Sequence, residues 1–239
     1  MDNSPSNFKA SVRHNVEGVE TDIWISKDGV AMVLHGDADG QLGLYGRPDV
    51  HVYDWTCEEL KTLIKLPNGE AMPTLRECLD IYKDSGALIN IELKGPKTEA
   101  LRKNYDFMAA AEIVHKMVLE YGLQQRVMVS SFHPMVMDCM RKCLEAKKEF
   151  MLCRLVSPNF PPEEGYTEGI DGVNIPMQHL SKAAVDKFHT LGLTVGVWLE
   201  RENHKETEAL YDEVFHSGAD FAFLDVPVPA MEYRNSLSK

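Results

Sequence analysis

Glu20 and Asp22 stand two positions apart in the stretch "GVETDIWI", residues 18–25. Alternate side chains of a β-strand project to the same face, so an extended backbone makes these carboxylates neighbours. Like charges at that spacing repel unless one is protonated or a cation lies between them, and a set of oxygen ligands suits Mg2+ or Ca2+. Taken alone, the pair also reads as an exposed strand face. The stretch "LINIELKGP" changes the balance, because it puts Asn90, Glu92 and Lys94 on one face and Ile89, Ile91 and Leu93 on the other. If both stretches are central strands, burying these charges singly costs several kcal/mol each. A cation held by Glu20, Asp22 and Glu92, with Lys94 beside it, satisfies all of them. Lys94 as a surface residue just past the strand is the alternative. A lysine next to a divalent cation suits a phosphate substrate, whose charge both neutralise.

His35 follows the apolar run "VAMVL" and opens an irregular stretch. A lone histidine there is commonly a packing residue, yet at the mouth of a metal site an imidazole is the natural proton donor near neutral pH. Other nucleophile patterns are missing: there is no Gly-x-Ser-x-Gly, no His-Glu-x-x-His and no cysteine in an activating setting. Ser130 and Ser131 end the run "VMVSSF" and are candidates to line a pocket. His133 precedes Pro134 at a helix start, a setting without comparable chemical context.

Positioning these groups falls to alternating elements. Strands are predicted at 18–25, 30–34, 88–94, 127–132, 150–155, 172–176, 194–199 and 220–225. Between them run amphipathic helices such as "AEIVHKMVLEYG", "SKAAVDKFHTLG" and "KETEALYDEVFHSG", each closing on glycine. Alternation from residue 88 onward indicates right-handed βαβ units and a parallel sheet. A (β/α) barrel and a doubly wound sheet both satisfy it, and the lack of a Gly-rich phosphate loop disfavours the second. Residues 36–74 break the rhythm and read as a long excursion at one end of the sheet.

The 239 residues, 44% of them hydrophobic, are enough to bury a sizeable core. A formal net charge of −12 argues against nucleic acid and against electrostatic docking on anionic membrane. It also disfavours an anionic substrate, unless a cation or a local basic group reverses the field in the pocket. Five irregularly spaced cysteines show no pairing or zinc pattern, with Cys139 and Cys143 one helical turn apart. No signal-peptide core and no apolar run of membrane-spanning length is present, so a cytoplasmic, reducing setting is expected.

The same segments resemble a known family. "GVETDIWISKDGVAMVLHG" is similar to the part of glycerophosphodiester phosphodiesterases in which a Glu-x-Asp strand leads through Lys-Asp-Gly to a strand ending in His. "MPTLRECLDIYKDSGALINIELKGP" resembles that family's Pro-Thr-Leu helix and Ile-Glu-x-Lys strand. "GLTVGVWLERE" looks like its Val-x-Val-Trp strand, and "SGADFAFLDVP" like its closing segment. The similarity is ordered along nearly the whole chain; its Glu-x-Asp…His block with the later Glu-x-Lys is the specific part. It implies an α/β fold of the TIM (β/α)8 type in one domain over residues 1–239, with 36–74 as an insertion. It further implies a divalent metal, Mg2+ or Ca2+, on Glu20, Asp22 and Glu92. Lys94 would contact the phosphate, Trp198 would line the substrate pocket, and His35 would be one of two catalytic histidines. The reaction implied is hydrolysis of small glycerophosphodiesters to glycerol 3-phosphate and an alcohol.

Two departures accompany the resemblance. The family opens with a barrel strand ending in His-Arg-Gly, followed by Pro-Glu-Asn-Thr, and here "DNS" at 2–4 falls where Glu-Asn-Thr would stand. The second catalytic histidine and its phosphate-binding arginine are therefore not placed; Arg13 and His14, reversed in order and within a predicted helix, are not substitutes. Gly36 also stands where the family commonly has Asp. Loss of an acid–base partner costs roughly 10²–10⁴ in rate. Either Met1 is an internal methionine of a longer protein, which the retained site residues favour, or the chain is an inactive relative. The rival functions are a catalytically dead barrel that binds metal and a phosphorylated ligand, and a phosphodiesterase for lysophospholipid or sphingomyelin-type head groups.

Overall fold

In the computed structural model, which describes residues 3–144, 148–162, 165–199 and 205–237, the first element is a helix. Ser4 accepts the amide of Asn7 and Pro5 occupies the first turn, so helix α1 (Pro5–Arg13) starts at the cap its sequence specifies. The chain forms two units, Met1–Phe150 and Met151–Lys239.

In the first unit, β1 (Gly18–Ile25) turns through Gly29, at φ +77°, into the short antiparallel β2 (Ala31–Val33). Residues 36–74 are not bare loop. They contain the hairpin β3 (Gln41–Leu42) and β4 (Arg47–His51), and helix α2 (Cys57–Leu63) begun by a Thr56–Glu59 capping box. A second capping box, Thr74–Glu77, starts α3 (Leu75–Tyr82). There follow β5 (Leu88–Leu93), α4 (Glu99–Arg102), α5 (Phe107–Glu120), β6 (Val127–Ser131) and α6 (Pro134–Leu144). β1 pairs in parallel with β5, and β5 with β6, as helical crossovers require. Ile89, Ile91 and Leu93 are fully buried, which accounts for the apolar face of that strand.

The second unit repeats the alternation: β7 (Met151–Leu155), β8 (Gly172–Pro176), α7 (Lys182–Thr190), β9 (Thr194–Trp198), α8 (Glu208–His216), β10 (Phe221–Phe223) and α9 (Pro227–Leu237). Its four strands are parallel in chain order. Gly172 and Gly196 are required by close packing, since a Cβ would meet Thr194 Oγ1 at 2.2 Å and the Phe221 ring at 2.2 Å. All eight predicted strands form, with ends shifted by at most two residues. The hairpin β3–β4 was not foreseen, because its strands are too short to show a period. The five cysteines are free, and among the described residues no helix is long and apolar enough to cross a membrane.

Candidate functional site

The parallel register of β1 and β5 sets Glu20 beside Asn90 and Asp22 beside Glu92, and β5–β6 sets Glu92 beside Ser130. Strand periodicity then gives one polar face in the first unit. Carboxylate oxygens of Glu20, Asp22 and Glu92 lie within 4.8 Å of one another. Lys94, just beyond β5, turns its ammonium into this group: Nζ is 2.9 Å from Asp22 Oδ1 and 2.7 Å from Glu92 Oε1. The Lys94 and Glu92 side chains keep only 14% and 13% of their exposure, so water screens the cluster little.

Burial alone pushes both carboxyls up, but the two end on opposite sides of their ordinary range. Asp22 is held below it, because desolvation is outweighed by Lys94, with help from His35 and the Asn3 amide. Glu92 is raised by desolvation and by the charge of Asp22, which Lys94 only partly offsets. Lys94 loses solvation too, yet the two carboxylates raise it and keep it an ammonium.

The donor set fits a hard dication. Three carboxylates and one ammonium carry a net charge of −2 when all are ionised, and every candidate ligand is oxygen. Oxygens bound to one Ca2+ at 2.3–2.6 Å lie no more than about 5 Å apart, a span that the cluster meets. In addition, Asn90 Oδ1 and Ser130 Oγ are buried without a hydrogen-bond partner among the described residues, on strand positions beside Glu20 and Glu92. Buried polar atoms left open in this way mark a place for water or ligand.

His35 is exposed at the end of the β2 segment. Its Nδ1 lies 2.8 Å from the Gly36 carbonyl, which can only accept, so Nδ1 carries the hydrogen and Nε2 is left for chemistry. The indole Nε1–H of Trp24 donates to the His35 carbonyl at 3.1 Å. Gly36 has φ +66° and a Cβ there would sit 2.9 Å from Trp24 Nε1, so this backbone position favours glycine.

Asn3 and Trp24 escaped the sequence reading, His133 was set aside in it, and Ser131 was among its pocket-lining candidates. Asn3, buried at φ +53°, donates from Nδ2 to Asp22 Oδ2 at 2.8 Å and accepts from Thr21 Oγ1 at 2.9 Å. Trp24 shares the face of Glu20 and Asp22. Ser131 donates to the Leu93 carbonyl at 2.6 Å, and His133 Nε2 lies 3.0 Å from the Pro96 carbonyl while its Nδ1 accepts from the Met135 amide. Two signals could have flagged them: Trp24 stands two positions after Asp22 on the same strand face, and Asn3 matches the family's Asn. Trp198 is half-buried at the end of β9, in the second unit, and the grouping above does not include it. Arg13 and His14 are exposed at the end of α1.

Residues 1–227 match the family model described as "Glycerophosphoryl diester phosphodiesterase family". A glycerophosphodiester phosphodiesterase of Caldanaerobacter subterraneus is 30% identical over 165 residues, 66% of this chain and 64% of that protein, so the match spans just under two thirds of the relative. The crystal structure of a glycerophosphodiester phosphodiesterase from Parabacteroides distasonis superimposes with TM-score 0.76 at 25% identity, over 99% of this chain and 91% of that one. An Oleispira antarctica phosphodiesterase, solved in complex with sn-glycerol-3-phosphate, gives TM-score 0.77 at 19% identity, over 98% and 91%. The fold class is thereby the α/β, TIM-barrel type that the resemblance implied.

Proposed function

The chain belongs to the glycerophosphoryl diester phosphodiesterase family, and on that premise we propose that it hydrolyses glycerophosphodiesters to glycerol 3-phosphate and an alcohol, using a divalent cation at the acidic cluster of the first unit. The observation that carries this reading is Lys94 Nζ lodged between Asp22 and Glu92, with the Glu20 carboxylate in the same group. A bound Mg2+ or Ca2+ would supply Lewis-acid polarisation and charge neutralisation at the phosphoryl group. Glu20, Asp22 and Glu92 hold the cation, and Asn3 orients the Asp22 carboxylate through its amide. Lys94 stabilises negative charge on the phosphate oxygens. In its doubly protonated form His35 gives the Nε2 proton to the departing alkoxide as the water oxygen bonds to phosphorus and the phosphorus–alkoxide bond breaks; the proton that water loses passes to solvent, and the Nδ1–H stays on the Gly36 carbonyl. Trp198, at the end of β9, is the second unit's candidate for a substrate contact. The family match runs through both units, which supports residues 1–239 as one catalytic domain with 36–74 inserted. The irregular set of five cysteines supports a cytoplasmic setting.

Release of glycerol 3-phosphate from glycerophosphocholine, followed with Mg2+ or Ca2+ and again after chelation, tests the proposal. Turnover that needs the cation and disappears in Glu92→Gln supports it. Turnover that survives both chelation and Glu92→Gln removes the acidic cluster from the mechanism. Cation-dependent binding of glycerol 3-phosphate with no turnover of any diester overturns catalysis in favour of a binding barrel. Products formed only from lysophospholipids would move the substrate class.

A further inference from the structure

The loop that carries His35 and the loop that carries Lys94 come from different strands, and one carboxylate spans them. Asp39 Oδ1 accepts the backbone N–H groups of Lys97 at 2.6 Å and Thr98 at 2.8 Å, and its Oδ2 accepts the Thr98 hydroxyl at 2.6 Å. We propose that Asp39 is a positioning residue that fixes the His35 loop against the Lys94 loop.

Both sides of this staple are stiff. On the first, Asp37 N–H donates to the Gln41 carbonyl and Gly40 N–H to the Asp37 carbonyl, each at 2.9 Å, so residues 37–41 form a closed turn. That turn rests on Trp24: a Cβ on Gly36 or Gly40 would fall 2.9 Å and 3.0 Å from the indole, and the indole N–H holds the His35 carbonyl. A displacement at Asp39 therefore reaches the His35 backbone through packed atoms. On the second side, Lys94 N–H donates to the Ile23 carbonyl at 2.9 Å, and Tyr105 Oη donates to the Lys94 carbonyl at 3.4 Å. Gly95 lies so close to Phe107 that a Cβ would come within 2.4 Å of the ring. The Pro96 carbonyl is held by His133, and the next two amides are those that Asp39 captures.

Charge-assisted bonds of this length are strong, and three to one side chain fix its orientation as well as its place. The need is geometric: a proton donor and a phosphate-binding ammonium act on the same diester only at a set separation, and a misplacement of about 1 Å costs on the order of 10²-fold in rate. Geometry also separates this role from a purely electrostatic one. In Asp39→Asn, Oδ1 still accepts both amides, and Nδ2–H donates to the Thr98 hydroxyl, which accepts as readily as it donates. A role for the charge itself would be lost in that variant.

The kinetic part of the test rests on the phosphodiesterase reading; the exchange part does not. Hydrogen exchange on the full chain compares wild type, Asp39→Ala and Asp39→Asn. In Asp39→Ala, protection is expected to fall by tenfold or more at Lys97, Thr98 and also within residues 36–41, with Asp39→Asn close to wild type. Glycerophosphocholine turnover should show kcat down at least tenfold in Asp39→Ala, KM within threefold, and most of the loss recovered in Asp39→Asn. Exchange that rises only at Lys97 and Thr98 overturns the proposal, since Asp39 would then cap α4 alone. So does an Asp39→Asn variant as impaired as Asp39→Ala. If no diester is turned over, the phosphodiesterase reading falls and the exchange pattern still decides the staple.

Discussion

Trp24 and His35 are joined side chain to backbone: the indole N–H donates to the histidine carbonyl at 3.1 Å, and the same ring bears on Gly36 and Gly40. The imidazole itself stays exposed. Its backbone is thus fixed while its ring is free to meet substrate, an arrangement suited to a proton donor.

Removing either half of this contact should be costly. Trp24→Phe strips the carbonyl of its donor, a loss of about 1–3 kcal/mol for a buried group. Gly36→Ala forces a Cβ toward Nε1 at φ +66° and should cost more than the 0.4–1 kcal/mol, or roughly that, at stake in unstrained glycine replacements. Because the two changes share one contact, the double variant should lose less than the sum. Chemical denaturation of all four proteins measures the coupling, and strict additivity would show that the ring and Gly36 do not interact.

Lys94→Met leaves Asp22 and Glu92 buried side by side without their ammonium. Breaking a buried pair in this way costs about 3–5 kcal/mol. A divalent cation would replace the lost charge, so the rise in Tm on adding Ca2+ or Mg2+ should exceed that of wild type. Equal shifts in the two proteins would place the cation elsewhere.

Cation binding should weaken as pH falls, and sooner than for an ordinary carboxylate site. Glu92 is raised above its usual 4.5 by burial and by Asp22, so it takes up a proton at higher pH than a solvated glutamate does. Protonation removes a ligand, and affinity must fall with it. Titration calorimetry across the acid range checks this, with Glu92→Gln expected to bind poorly at every pH.

His133 should tie stability to pH in the opposite region of the chain's chemistry. Burial holds its imidazole below the ordinary 6.5, and its Nδ1 must stay unprotonated to accept the Met135 amide. The unfolded chain therefore gains a proton before the folded one does. The stabilising contribution is complete above pH 6.5 and is lost as pH drops through the lowered folded value. In His133→Asn, whose Oδ1 caps the same amide, that part of the decline in Tm between neutral and mildly acidic pH should vanish.

Much of this was legible in residue order. Strand ends obey rules that act over a few residues; the helix caps at Ser4, Thr56 and Thr74 obey such rules too, but they were read only in the structure. The shared face of Glu20 and Asp22, and that of Asn90, Glu92 and Lys94, was legible because a strand repeats every two residues. Asp39 and His133 were illegible for the converse reason: their partners, Thr98 and Pro96, lie on other segments, and no local pattern marks the pairing.

By itself, then, the sequence determined which side chains share a face, and it determined the family through the order of its motifs. Only the tertiary structure decided that Asp22 stands beside Glu92, that one ammonium serves both, that Asn3 reaches Asp22, and that Asp39 reaches Lys97 and Thr98. Periodicity is a property of the backbone within one element. Register between distant strands is chosen by the packing of everything between them, and the meeting of charges follows from that choice.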